Sequence, residues 1–113
     1  AALGWNVACD PRPSNFAGLV TPLSSNDAAV VMGHDVETSS ECLAYALDSQ
    51  VGYIGALGSQ KMQSNRADWL ALRNITDLSR IYGPAGLDIG AKKPKEIALS
   101  IFAQIIALRS GKI

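Results

Sequence analysis

Two short apolar runs, AAVVM at residues 28–32 and VGYIGAL at residues 51–57, restrict this chain more than anything else in it. Each has the length of a strand, and neither shows the polar alternation that a solvated face would impose. The first is bounded by Asn26-Asp27 and Gly33-His34-Asp35. Runs of this kind belong to strands covered on both faces, which is the condition of a parallel sheet. Parallel neighbours need a crossover, and the segment between the runs supplies one: Leu43, Ala46 and Leu47 recur on one face of a helix that Ser39 or Ser40 can cap and that ends near Ser49. The result is a strand-helix-strand unit.

The remaining segments extend the same alternation. Leu3 to Cys9 reads as a strand that stops at Asp10-Pro11-Arg12-Pro13, where two prolines forbid a regular ladder. Residues 14–26 are rich in Ser, Asn, Gly and Pro without a period, which predicts a loop with at most a short strand near Leu19-Val20. Gly58-Ser59 opens a second helix in which Met62, Trp69, Leu70 and Leu72 make apolar contacts while Arg66 and Asp68 face water; it ends near Asn74. A short last strand over Ser79–Tyr82 and the turn Gly83-Pro84-Ala85-Gly86 follow. Pro94 suits a first helical turn, and Ile97, Ile101, Ile105 and Leu108 form the stripe of a long helix. The expectation is one three-layer α/β domain over residues 1–113, with parallel strands near 4–9, 28–32 and 51–56, right-handed crossovers, and a last helix over about 94–109.

With 113 residues, 48% of them hydrophobic, the chain can bury one core and is too short for two. Ten basic and ten acidic side chains cancel, and no dense Lys/Arg block stands out, so neither nucleic acid nor an anionic membrane is expected as a partner. The longest apolar stretch is interrupted by Ser100 and Gln104 and is too short to span a bilayer. With no leader-like segment at the amino terminus, a cytoplasmic location is expected. Cys9 and Cys42 stand far apart without further ligands, so both are read as buried small hydrophobes, and no metal site is expected.

In open parallel sheets, ligands gather at the carboxyl ends of the strands, where loops and helix amino termini meet. The polar loops of this chain fall on that edge. Asp10 can accept hydrogen bonds from ribose hydroxyls, or can be a turn aspartate beside proline; Arg12 can hold a phosphate bidentately, or remain solvated. Gly55-Ala56-Leu57-Gly58-Ser59 sets two glycines and a hydroxyl at a strand-to-helix turn, with Lys61 in the first helical turn, which favours an anion; the same glycines also permit close packing with no ligand. It lacks the spacing of a Walker loop. His34 and Asp35 suit acid-base chemistry or a hydrogen-bonded turn, and no catalytic residue is assigned. Asp88 lies between Gly86 and Gly90 in GLDIG, where the backbone can approach a ligand closely or the carboxylate can cap its own turn.

Taken together, GYIGALGS, the GP-x-GLDIGA loop and the P-x-EIALSI-x-A-x-I-x-A helix resemble the carboxyl-terminal Rossmann-like domain of the XdhC/CoxI family, accessory factors of xanthine dehydrogenase and related molybdenum hydroxylases. DPRP and the GHD after AAVVM fit the same pattern, so the resemblance covers almost the whole chain. It implies an accessory protein that binds molybdenum cofactor (molybdopterin), assists its sulfuration or its insertion into the apo-enzyme, and works by binding and handover more than by catalysis. The positions carried over are Asp10, Arg12, His34, Asp35, Gly55, Gly58, Ser59, Asp88 and Gly90.

Against the family pattern, the chain begins at Ala1 after the usual first strand and glycine-rich GAGH-like loop, has no counterpart of the separate amino-terminal domain, and carries Gln60 where a basic residue is common. Without that loop, NAD(P) is disfavoured and a nucleotide-dependent Rossmann enzyme becomes the alternative; a ligand-free interaction module is the other. The expected open strand edges, together with the apolar last helix, point to a homodimer.

Overall fold

The computed structural model describes residues 12–33 and 35–113. The strand expected over residues 4–9, Cys9, Asp10 and His34 lie outside the described residues.

The first described element is a helix, α1 (Pro13–Val20), where sequence reading expects a loop and a short strand. Pro13 sits at its first turn, where a missing N–H costs nothing. Phe16 and Val20, one turn apart, pack into the core together with Leu43 and Ala46 of α2 (Val36–Leu47). Tertiary packing thus rescues eight residues whose composition alone favours a turn. Among the described residues, β1 (Ala28–Val31), β2 (Tyr53–Ala56) and β3 (Ile81–Tyr82) form a parallel sheet in that order. Ala28 pairs with Tyr53 and Val31 with Ala56; Ile54 pairs with Ile81 and Gly55 with Tyr82. The crossovers are α2 and α3 (Gln60–Ala71), and α4 (Pro94–Arg109) closes the chain.

Alternation along the strands sorts the core into two layers. Ala29, Val31, Ile54 and Ala56 point to the side of α1, α2 and α3, where they meet Val20, Cys42, Leu43, Ala46 and Leu70. Ala28, Val30 and Tyr53 point the other way, to Ile101 and Ile105 of α4. Both faces are covered, which explains why the two runs carry no polar alternation. The three-layer α/β fold stands as expected.

Boundaries move for local reasons. Asp35, not Ser39 or Ser40, caps α2: its carboxylate accepts the Thr38 N–H at 2.8 Å, and the two serines are buried one turn further on. The helix α3 stops at Ala71, short of Asn74, whose φ of 63° marks the left-handed turn that follows. Leu72, expected in the core, is 84% exposed. Arg66, expected in water, is 1% exposed. That reversal shapes the site.

Candidate functional site at the carboxyl edge of the sheet

Because β1, β2 and β3 are parallel neighbours, the loops that leave them emerge at one edge: one with Met32, Gly33 and Asp35 after β1, one over residues 57–59 after β2, and one over residues 83–93 after β3. A loop that leaves a strand presents carbonyls with no ladder partner, and those carbonyls need donors. Two side chains one turn apart on the inner face of α3 supply them. Arg66 donates from Nε to Ser39 Oγ (2.9 Å), from Nη1 to the Leu57 carbonyl (2.7 Å) and from Nη2 to the Gly33 carbonyl (3.0 Å). Gln63 donates from Nε2 to the carbonyls of Ala56 (2.9 Å) and Gly58 (3.3 Å). Ser39 passes the chain on, donating to the Asp35 carbonyl at 2.6 Å. The loops after β1 and β2 are therefore held to one guanidinium. Its burial pulls the pKa of Arg66 below the usual guanidinium value, since the charged form loses hydration.

The third loop is pinned to the last helix by two polar residues on its buried stripe. Gln104 Oε1 accepts the Gly86 N–H at 2.8 Å and the Tyr53 hydroxyl at 2.5 Å, and the Ser100 carbonyl accepts the Leu87 N–H at 3.1 Å. Gly86 has φ 102°, and a Cβ there would run into Ser100 Oγ, so glycine is required on both counts. Tyr53 also stacks on Tyr82, with centroids 5.2 Å apart and planes 10° from parallel. Burial pushes the Tyr53 phenol up to about 12. The Ala85 N–H closes the arrangement by donating to the Ala56 carbonyl at 3.0 Å. All three loops thus meet at the end of β2.

The residues named from the sequence divide in their roles. Gly58 and Ser59 lie on the exposed rim; Gly58 has φ 132°, and Ser59 caps α3 by accepting the Met62 N–H at 3.2 Å. The carboxylate of Asp35 is exposed and engaged as a helix cap, and the Thr38 N–H holds its pKa below the usual carboxylate value. Gly55 is buried inside β2: a Cβ there would stand 2.9 Å from the Tyr53 ring and 3.1 Å from Ala85, so this glycine serves packing between strand and loop. Asp88 and Gly90 are exposed further out on the third loop, and a Cβ at Gly90 would meet nothing within 4 Å. Arg12 takes the N-cap position of α1, where its carbonyl accepts the Phe16 N–H. Sequence reading missed Arg66, Gln63, Ser39 and Gln104. Their signal is faint: three polar residues on helix faces that otherwise read as apolar, and one arginine that pattern alone sends to solvent.

The sequence matches the XdhC Rossmann domain over residues 1–105. The chain belongs to the XdhC family. Over 84 residues it is 39% identical to a probable xanthine dehydrogenase subunit of Bacillus subtilis (strain 168), which takes in 74% of this chain and 24% of that protein. An uncharacterized Escherichia coli (strain K12) protein, YqeB, is 25% identical over 106 residues, 92% of this chain and 17% of its own. The fold is similar to the crystal structure of a xanthine dehydrogenase from Bacillus halodurans, with a TM-score of 0.69 at 32% identity, over 94% of this chain and 30% of that one. The chain thus spans between a sixth and a third of the length of these relatives. What this XdhC domain contributes is the Rossmann part, with its strand-end loops.

Proposed function

We propose that this XdhC domain is an accessory module for a xanthine dehydrogenase-type enzyme, and that it receives molybdenum cofactor at the carboxyl edge and hands it on during sulfuration or insertion. The observation that carries the reading is the family match along nearly the whole chain. It is supported by an edge where three strand-end loops converge. The residues present suit a phosphorylated pterin. Gly58 at φ 132° leaves an uncovered stretch of backbone beside the amino end of α3, where an anion is favoured. The exposed Asp88 carboxylate, acceptor-only when ionised, suits the N–H groups of a pterin ring. The cofactor itself supplies the metal chemistry used by the client enzyme; this chain binds, orients and shields it. Asp10, Arg12 and His34 belong to the same proposed site.

Self-association is the second part of the reading. The side of α4 that faces away from the sheet is apolar, with Leu99 62% and Ile106 49% exposed, and a second copy of this chain would cover it. Among the described residues, no helix is long and apolar enough to cross a membrane.

Thermal unfolding with and without isolated molybdenum cofactor tests the main reading, because a ligand at 100 times its Kd adds about 2.7 kcal/mol. A cofactor-dependent shift that a bulky residue at Gly58 removes, with the fold intact, is the expected result. No shift with the cofactor overturns the reading. A shift with NAD(P) in its place favours the nucleotide-dependent enzyme.

A further inference from the structure

We propose that the groove between α2 and α3 is the surface on which the client protein docks, and that it takes an arginine or lysine side chain of that partner against Glu37 and Glu41. The groove has a volume of about 350 Å³ and is lined by Glu37, Glu41, Ala44 and Tyr45 of α2, by Trp69 of α3, and by Arg73 in the turn that ends α3. Glu37, Glu41 and Tyr45 are spaced by four, so they stand in one row along α2. Two carboxylates one turn apart repel each other. The amino end of α2 favours Glu37 in its first turn, but Glu41 lies beyond that reach. Among the described residues no cation pairs with either carboxylate. The cation in the lining is committed elsewhere: the guanidinium carbon of Arg73 stands 3.4 Å from the centre of the Trp69 ring, and its Nη1 donates to the Trp69 carbonyl at 3.1 Å. One wall of the groove thus presents negative charge that the fold itself leaves unmatched.

Charge and surface type together name the occupant. A basic side chain carries an apolar stem and a cationic head, which matches a wall of carboxylates beside aromatic surface. Tyr45 is 42% exposed and offers a ring to such a side chain, as Trp69 already does to Arg73 within the chain. Tyrosine, tryptophan and arginine are also the residue types that carry most binding energy at protein contacts, while charges around them select the partner. Leu72, next to Arg73 in the chain and open to solvent, adds apolar surface outside the groove, which suits a protein more than a small ligand. The position fits a handover. Both helices start at the carboxyl edge, and Glu37 is two residues beyond Asp35, so a partner seated here stands beside the loops that face ligand.

This inference rests on the reading of the chain as an accessory module, and it names the surface by which that module meets its client. The probe is a short helical peptide carrying two arginines one turn apart, with the same peptide bearing citrulline in their place as the uncharged control. Both are titrated at constant ionic strength while the indole N–H of Trp69 and the amides of Glu41 and Tyr45 are followed by NMR. Saturable shifts of these groups with the arginine peptide are expected, and Glu37→Gln combined with Glu41→Gln should weaken binding at least about tenfold. Should that variant not fold, the citrulline peptide makes the same comparison on wild-type protein. No saturable shift at millimolar arginine peptide overturns the proposal, as does equal binding by the citrulline peptide or by the glutamine variant. A light-scattering mass that changes with the glutamine substitutions would assign the groove to a second copy of this chain and overturn the assignment to a client. Peptide binding without any cofactor-dependent thermal shift would sink the cofactor reading and leave the docking surface standing; the reverse result would sink the docking surface alone.

Discussion

Individual side chains on this scaffold carry roles that their residue type does not announce. Tyr53 combines burial, a 2.5 Å bond to Gln104 and a phenol raised from 10.0 to about 12. The neutral phenol is the form the fold favours, so this contribution is complete below the unfolded value of 10.0 and is lost as pH rises through about 12. Alkaline melts should therefore show wild-type stability falling between these limits, and Tyr53→Phe should flatten that fall while costing about 1 kcal/mol at neutral pH through the lost hydrogen bond. Asp35 behaves in the opposite sense. Its depressed carboxyl stabilises α2 above the unfolded pKa of 3.8, and that support disappears as pH falls through the lower folded value. Asp35→Asn, which keeps a capping oxygen without a titrating group, should remove this acid-limb component in circular dichroism melts.

At the scale of elements, two arginines staple the sheet's opposite edges. Arg66 joins the loops at the carboxyl ends of β1 and β2, whereas Arg80, just before β3, donates to the carbonyls of Leu47 (2.9 Å), Ser49 (3.2 Å) and Val51 (2.6 Å) and so seals the end of α2 to the entry of β2. Replacing Arg66 by Ala strands the Leu57 and Gly33 carbonyls, each worth about 1 to 3 kcal/mol where water cannot reach. A loss of several kcal/mol by chemical denaturation is the expected outcome, and a near-neutral variant would show that water substitutes for the guanidinium. The loop after β3 depends in the same way on α4: Gly86→Ala meets both a φ of 102° and Ser100 Oγ, and should destabilise by more than about 1 kcal/mol in the same assay.

For the molecule as a whole, α4 carries two apolar sides with different fates. One side packs Ile101 and Ile105 on the sheet, and the other leaves Leu99 and Ile106 in solvent. Light scattering after gel filtration should return a dimer mass for this chain, and Leu99→Asp with Ile106→Asp should return a monomer with the melting behaviour of the sheet retained; a wild-type monomer at all concentrations ends the homodimer reading.

The two apolar runs and the helical stripe of residues 97–108 were enough to specify an α/β fold with β1, β2, α2 and α4 in place, because burial on both faces of a sheet leaves a periodicity that any single sequence displays. Ser59 as the opening of α3 was legible for a similar reason, since capping is a local hydrogen bond. What the tertiary structure decided is everything that depends on partners remote in the chain. The segment Pro13–Val20 is a helix because α2 gives its apolar residues somewhere to go. Gly55 is a packing glycine because Ala85, 30 positions later, fills the space above it. Arg66 is buried because carbonyls at Gly33 and Leu57, on two different strand ends, need one donor between them. A local pattern records how often a residue meets a surface, and it holds no record of which distant oxygen that residue must satisfy.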